Sequence, residues 1–441
     1  MPAVQTPESP PSRSRIPDAL RALRHRNFQL FFSGQLISLI GTWMQSVAQA
    51  WLVYRLTGSA LLLGTVAFMS QFPVFLLATL GGMVADRKNR HRIVITTQTI
   101  SMILALILAA LTLSGRIRVW EIIVLATLLG VVNAFDLPAR QAFLVDMVGK
   151  DYLMNAIALN SSLFNGARVI GPAIAGILVA WIGEGWCFFA NGASFIAVIA
   201  GLLMMRLPPF QPPQRKLSAL EHVSEGFRFV RETGPIRALL LLLGLVSLVA
   251  MPYAVLMPIF ADRILHGGAR GLGILMGATG VGAVSAALTL AAKKGLKGLG
   301  QWVPIAAACF GLSLILFSFS RIFWLSVVLL VPVGYSVMLQ MSSTNTLIQA
   351  MVPDHLRGRV MAVYAMMFMG MAPMGSLLAG VVAHHIQAPM TVAAGGMLAI
   401  LGAGIFARNM PKITQQAREL MTAQGLYAAE APAELRARSI S

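Results

Sequence analysis

The chain has 441 residues, of which 57% are hydrophobic and 11% are charged. Soluble domains carry about 25% charged residues, so the composition excludes an ordinary soluble protein and indicates an integral membrane protein. The formal net charge is +18, but Lys and Arg lie in short segments between apolar runs. That distribution indicates contact with anionic lipid and excludes a nucleic-acid partner.

Residues 1–27 are polar and rich in Pro, Ser and Arg. They contain no cleavable signal peptide, so we expect a cytoplasmic N-terminal tail followed by a first helix that acts as an uncleaved insertion signal. The two cysteines, Cys187 and Cys309, fall in separate apolar runs. We therefore predict no disulfide framework and no metal site.

Twelve apolar runs follow the tail, and each is long enough to cross a ~30 Å hydrocarbon layer as a helix. We place them at 28–54, 60–85, 93–113, 120–138, 158–182, 186–206, 237–261, 271–292, 302–319, 322–348, 359–383 and 389–408. Lys and Arg are concentrated in the two tails and in alternate loops. The twelve runs predict an all-α membrane protein. The positive-inside rule predicts that both of its termini lie in the cytoplasm.

The densely charged turn between the second and third runs, within 81–92, resembles the signature of the major facilitator superfamily. That signature is a Gly, three residues, Asp-Arg, then a Gly and two basic residues. Asn89 occupies the usual glycine place, where we expect a left-handed turn that Asn tolerates. A generic basic loop would account for the arginines but not for the rest of the motif. The matching residues are Gly82, Asp86, Arg87, Arg90 and Arg92.

Three further segments resemble the drug:proton antiporter branch that includes enterobactin-type siderophore exporters. They are 51–60, 133–143 and 159–161, and the resemblance extends over about residues 20–408. It implies the major facilitator fold, in which twelve transmembrane helices form two pseudo-symmetric six-helix bundles that work by rocker-switch alternating access. A sparse internal repeat, Asp151–Leu153 against Asp354–Leu356, is consistent with that duplication.

The fold implies five segments. A six-helix bundle over 28–206 follows the tail, a linker over 207–236 leads to a second bundle over 237–408, and a cytoplasmic tail covers 409–441. In the linker, apolar residues recur at helical spacing over 217–230, which predicts an amphipathic helix on the inner membrane surface. A simple linker remains an equal alternative. We expect the C-terminal tail to be partly helical or disordered.

By the resemblance, Asp136 and Arg140 cap the inner end of helix four. Their i,i+4 spacing allows an ion pair, although Arg140 could instead meet Asp86 of helix two. Together with the signature turn they form an expected gating cluster, intact in one state and broken in the other. The alternative is a static charged loop that contributes little.

Helix one carries polar side chains at spacings of three and four, which places them on one stripe. In lipid such a stripe must face protein or water, so it forms either a cavity wall or an interhelical hydrogen-bond seam. Because helices one, four, seven and ten line the cavity in this superfamily, we favour the cavity. The candidate cavity residues are Gln35, Thr42, Gln45, Gln49, Asn133, Tyr253, Gln340 and Asn345.

Arg168 lies inside the fifth run, where a guanidinium is expensive and by default functional. It could alternatively reach the interface by snorkelling. The following Gly171, Pro172 and Gly176 resemble the helix-five motif of the superfamily's antiporters. Physically, the glycines permit close helix packing and the proline removes a backbone hydrogen bond.

The sequence contains no phosphate-binding loop, nucleophile elbow or zinc motif, so it predicts neither an enzyme nor a cofactor. With these helix boundaries no Asp or Glu lies mid-membrane. Proton coupling is therefore implied by resemblance, with Asp86, Asp136 or the pair His384 and His385 as candidate groups.

We expect a monomeric exporter of a small amphipathic organic compound, a drug-like molecule or a siderophore, in a bacterial-type inner membrane. Protons and membrane lipids are the other expected partners. Two alternatives stay open: a lipid or lysophospholipid transporter, and a non-transporting membrane sensor on the same fold.

Overall fold

The computed structural model describes residues 18–207, 219–293, 295 and 298–423. In this part of the chain, twelve helices are long and apolar enough to cross a membrane, as the sequence predicts. In chain order the spans are Arg26–Thr57, Ala60–Arg87, Arg90–Leu113, Val119–Val148, Leu153–Ile182, Glu184–Leu203, Gly234–Ile264, Gly268–Ala292, Leu299–Phe319, Phe323–Met351, Asp354–Ile386 and Ala388–Arg408. We number them as the first to the twelfth span.

Successive spans run in opposite directions, which gives the bundle two ends. The basic end holds Arg26, Arg87 and Arg90, and the far end holds Thr57 and Ala60. The first six spans pack among themselves, and so do the last six. We refer to these groups as the first half and the second half.

The two halves meet mainly where the second span packs on the eleventh and the fifth on the eighth. Glycines make both crossings close. A Cβ on Gly64 would lie 2.9 Å from Cα of Gly380, and one on Gly176 would lie 2.6 Å from Cα of Gly273. All four glycines lie within two turns of the far end. The two crossings are related as the predicted pseudo-symmetry requires.

The fourth span ends ten residues later than predicted, because its helix continues through Pro138 to Val148. A proline inside a helix leaves the carbonyl four residues earlier without its helical donor. Here that carbonyl belongs to Ala134, and its oxygen faces Gly81 of the second span, where a Cβ would lie 2.0 Å away. Gly81 therefore lets the second span pack tightly on the fourth at the carbonyl that Pro138 leaves without its helical donor.

The seventh span is broken, as Pro252 predicts. It consists of a helix at Gly234–Val249, a second helix at Tyr253–Ile259 and a π-helical turn at Phe260–Ile264. Pro252 likewise deprives the carbonyl of Leu248 of a donor, and Gly375 of the eleventh span packs against that oxygen. The kink is therefore supported from the neighbouring helix.

The predicted linker helix forms at Ala219–Glu232, and linker residues 208–218 lie outside the described part. This helix packs on the eleventh span: Glu225 pairs with Arg359 at 2.8 Å, and a Cβ on Gly226 would lie 2.6 Å from the Arg359 carbonyl oxygen. A 3₁₀ turn at Asp18–Arg24 precedes the first span. The helix Met410–Ala423 follows the last one, and tail residues 424–441 are not described.

Candidate functional site

A cavity of about 500 Å³ lies between the two halves. Its first-half wall is rich in amide, hydroxyl and charged groups, among them Gln35, Ser38, Thr42, Gln45, Gln49, Ser70, Gln71, Gln98, Asn133, Asp136, Arg140 and Asn191. Its second-half wall is apolar and consists of Ala254, Val255, Pro258, Leu272, Met276 and Met369. The first-half wall also contains apolar side chains such as Leu39, Trp43 and Phe195, so the cavity combines a mixed wall with an apolar one.

The polar stripe of the first span faces this cavity, as predicted. The same stripe also forms part of a hydrogen-bond seam, which was the alternative interpretation. Asn191 Nδ2 of the sixth span donates to Gln45 Oε1 at 2.7 Å, whereas Thr42 Oγ1 donates to the carbonyl oxygen of Ser38 on its own helix at 2.9 Å. Gln49 lines the cavity and is only partly buried. Both interpretations hold, since Gln45 lines the cavity and also bonds between helices.

Asp136 is the buried acid of the cavity, with 1% of its surface exposed. Thr97 Oγ1 donates to its Oδ1 at 2.6 Å, and Gln98 Nε2 donates to the same oxygen at 3.0 Å. Arg140 Nη2 lies 2.7 Å from Asp136 Oδ2, while Arg140 Nη1 donates to Gln35 Oε1 at 3.0 Å. A carboxylate so enclosed must keep its charge paired or bind a proton.

The position of this pair corrects the sequence analysis. Asp136 and Arg140 do not cap the inner end of the fourth helix, since the helix continues twelve residues beyond Asp136, or ~18 Å. Arg140 pairs with Asp136 and not with Asp86, which is exposed. A buried acid in the membrane region is therefore present, contrary to the boundary-based expectation.

The signature turn contains only two residues, Lys88 and Asn89, between helices. Asn89 is not in the predicted left-handed conformation, because its φ is −62° and its side chain accepts from the backbone N–H of Arg92 as a helix N-cap. Gly82, the signature glycine, borders open space, since a Cβ added there would have no neighbour within 4 Å. The adjacent Gly81 makes the close contact.

Arg90 is the tethered cation of the turn. Its guanidinium donates to the carbonyl oxygens of Ala85 and Ala142 and lies 3.1 Å from Asp146 Oδ1. These contacts hold the second, third and fourth spans together at the basic end. Arg87 and Arg92 are exposed there. The predicted cluster thus divides into a packed part around Arg90 and a solvent-facing part around Asp86.

The helix-five motif joins the fifth span to two neighbours. A Cβ on Gly171 would lie 2.5 Å from Trp43 Cβ of the first span, whereas Gly176 makes the crossing to the eighth span. The Arg168 guanidinium lies 5.9 Å from the centre of the Trp43 ring, within cation–π range. Its partner in this structure is an aromatic face.

Three predicted cavity residues do not line the cavity. Tyr253 packs edge-on against Phe310 of the ninth span. Gln340 is fully buried, and within the described chain neither polar atom of its side chain has a hydrogen-bond partner. Asn345 accepts a hydrogen bond from Gln349 on its own helix. Helical spacing identified the polar face of the tenth span but not what that face contacts.

The sequence analysis missed a contact between the halves at the far end. Tyr54 Oη of the first span donates to Asp262 Oδ2 of the seventh at 2.9 Å. Next to it, Arg55 pairs with Glu184 at 2.7 Å within the first half. Asp262 and Glu184 both lie at far-end termini of their spans, and that position in the sequence is the signal that could have suggested partners there.

Comparisons with known proteins agree with this geometry. The profile of the transmembrane secretion effector family matches residues 18–435. The staphyloferrin A transporter of Staphylococcus aureus is 28% identical over 80% of this chain and 88% of its own. The multidrug efflux pump Tap of Mycolicibacterium fortuitum is 27% identical over 85% and 93%, and the enterobactin exporter EntS of Shigella boydii is 27% identical over 86% and 90%.

Among solved structures, a mutant of the nucleoside transporter NupG superposes with a TM-score of 0.67. It shares 14% identity and covers 87% of this chain and 99% of its own. At that identity the likeness shows the fold alone. It confirms the predicted major facilitator architecture.

Proposed function

Because this chain belongs to the transmembrane secretion effector family of the major facilitator superfamily, and is a multi-pass membrane transporter, not an enzyme, we propose that it exports a small amphipathic organic compound. The proposed substrate class is that of siderophores or drug-like molecules, which the names of its relatives specify for those proteins. The observation that carries the proposal is the cavity between the halves, whose polar groups all come from the first half and whose second-half wall is apolar. A ligand with one polar and one apolar side satisfies both walls.

We infer that the basic end faces the cytoplasm, because Lys and Arg accumulate there. The contacts between the halves run from mid-span, where Gly370 meets Phe75, to the far end, where the glycine crossings and the bond from Tyr54 to Asp262 would close the path to the outside. Phe164 of the fifth span and Met369 of the eleventh line the cavity and are exposed. This arrangement corresponds to a state that accepts substrate from the cytoplasm.

The proposed coupling group is Asp136. Ionised, it accepts hydrogen bonds from Thr97 and Gln98 and pairs with Arg140. A substrate ammonium, or a hydroxyl or amide that donates to it, is held most strongly by the charged form. A bound proton removes the negative charge and turns one acceptor oxygen into a donor, so substrate and proton compete for one side chain. Competition at a shared site is what antiport requires.

The gating proposal for the signature turn rests on the difference between its packed part around Arg90 and its exposed part around Asp86. Arg90 and Asp146 keep the basic ends of three spans together, while Asp86 is exposed to solvent in this state. When the basic end closes, the end of the second span must approach the start of the eleventh, which is its neighbour at the far end. A helix start attracts an anion, so Asp86 would stabilise the closed cytoplasmic side.

The test uses purified protein in liposomes with a pH-sensitive dye inside, and a panel of cationic dyes, neutral antibiotics and catecholate siderophores. We expect substrate-driven proton movement with one class. Asp136→Asn should abolish proton movement while retaining substrate–substrate exchange. Asp151→Asn, an exposed acid at the basic end, serves as the matched control and should behave as the wild type.

Each other outcome has a defined meaning. Substrate movement without proton flux in the wild type would refute antiport but retain transport. Proton flux unchanged in Asp136→Asn would refute the assignment of the coupling group. If folded protein moved no member of the panel, the export proposal would fail, and lipid transport or a sensor role would be preferred.

A further inference from the structure

A second cavity, of about 610 Å³, lies on the outer side of the second half at the basic end. It is bounded by the start of the seventh span, the end of the twelfth and the helix Met410–Ala423. We call it the peripheral groove. It is separate from the central cavity, since none of its lining residues belongs to that wall.

The peripheral groove changes from charged to apolar along its length. Arg237 lies near the start of the seventh span, and Leu241 and Leu245 follow on the same helical face at spacings of four. On the twelfth span, Ile405 faces them. Leu241 is 62% exposed and Ile405 67% exposed. Because these are membrane-spanning helices, the exposed apolar side chains face the hydrocarbon of the bilayer.

The polar end of the groove contains two cations and one anion. Arg237 and Lys412 carry the positive charges, and Glu232 carries the negative one. Arg237 Nη1 donates to the carbonyl oxygen of Arg231 at 2.9 Å, which fixes the guanidinium at the mouth of the groove. The two cations outnumber the one anion among the lining residues, and the neighbouring Arg231 and Arg408 are exposed. An anionic group at the membrane surface complements this end.

The C-terminal helix forms a fixed wall of the groove. Met421 of this helix is only 5% exposed and packs in the core of the second half. A Cβ on Gly234 would lie 2.8 Å from Gln416 Oε1, so the helix sits directly on the start of the seventh span. Deeper in, a Cβ on Gly402 would lie 2.4 Å from Leu245 Cδ2, where the two spans close the groove.

We propose that the peripheral groove binds one anionic phospholipid of the cytoplasmic leaflet. The phosphodiester would accept hydrogen bonds from Arg237 and Lys412, and an acyl chain would lie along Leu241, Leu245 and Ile405. The lipid would join the C-terminal helix to the seventh and twelfth spans. This role concerns assembly of the second half and does not depend on which substrate is transported.

Native mass spectrometry of the full-length protein in detergent tests the proposal, with phosphatidylglycerol or phosphatidylcholine titrated in. We expect one high-affinity adduct with phosphatidylglycerol, which should form at a lower lipid concentration than any adduct with phosphatidylcholine. Removing both cations in Arg237→Gln/Lys412→Gln should weaken that adduct roughly thirtyfold, or about fivefold for each cation. Lys150→Gln removes an exposed cation at the basic end outside the groove and should leave binding unchanged.

The charge-preserving variant Arg237→Lys/Lys412→Arg distinguishes lost charge from lost fold, since it should retain phosphatidylglycerol binding. Equal binding of the two lipids, or an unaffected adduct in Arg237→Gln/Lys412→Gln, would overturn the proposal. Displacement of the lipid by millimolar inorganic phosphate would also overturn it, because the groove would then be a site for free phosphate.

Discussion

The bond from Tyr54 to Asp262 is the most direct test of how the far end stays closed, because it connects the two halves through a single hydroxyl. Tyr54→Phe removes that hydroxyl and leaves the ring, which is packed in the core. A hydrogen bond to a charged acceptor contributes about 1.5–3 kcal/mol when desolvated. Asp262 is only partly buried, so we expect about 1–2 kcal/mol, or a five- to thirtyfold shift toward the state open at the far end.

Double electron–electron resonance measures that shift. Labels at Arg116→Cys and Ile322→Cys report the far-end separation of the halves, since both positions are exposed and lie in far-end loops of opposite halves. The exposed Cys309 is replaced by Ser, and Cys187 is buried. In Tyr54→Phe the longer-distance population should grow.

The adjacent pair of Arg55 and Glu184 is the matched control. It lies at the same depth but within the first half, so Arg55→Gln should leave the distance distribution unchanged. If Tyr54→Phe and Arg55→Gln gave the same distribution as the wild type, the hydroxyl would not hold the far end closed. If both shifted it equally, the effect would be general destabilisation.

Two further predictions concern stability. Gln340→Met should increase the free energy of unfolding by about 1–3 kcal/mol, because it removes a buried amide without partners. The melting temperature in detergent should therefore rise. A lower melting temperature would show that the amide is satisfied by water. A double-mutant cycle of Arg90→Gln and Asp146→Asn should give an interaction free energy of about 1 kcal/mol or less, since both side chains are partly exposed. A much larger interaction energy would show that this ion pair contributes more to stability than an exposed pair does.

The sequence predicted what depends on local pattern. Apolar length placed the twelve spans, and the spacing of Gln35, Thr42, Gln45 and Gln49 identified a face that does line the central cavity. The same reasoning applied to Gln340 gave the wrong location. Periodicity shows that polar residues share a face, but it does not show whether that face meets the cavity or the interior of one half.

The end of the fourth span was predicted wrongly because a proline can either end a helix or lie inside one. The sequence analysis ended the helix at Pro138. The helix continues through it, and Gly81, more than fifty positions earlier, packs against the free carbonyl of Ala134. The error also moved Asp136 from the helix interior to an apparent helix end. The position of one helix end thus decided whether a buried acid was recognised.

A last prediction compares Ala substitutions at the adjacent glycines Gly81 and Gly82. It distinguishes a glycine needed for packing in this structure from one needed in another conformational state. Gly81→Ala would place its Cβ 2.0 Å from the Ala134 oxygen, so it should lower stability by about 1–3 kcal/mol and slow transport accordingly. Gly82→Ala meets open space and should stabilise the helix by up to ~1 kcal/mol. Melting temperatures of the two variants measure this difference.

Transport assays of Gly82→Ala then decide what the signature glycine does. If transport falls while stability rises, Gly82 is needed in a state other than the one seen here, where the basic end closes and the second span meets the eleventh. If transport is unchanged, the close helix contact at this end depends on Gly81 and not on the signature glycine. A loss of stability in Gly82→Ala would instead contradict the open space beside it, and with it the proposed opening at the basic end.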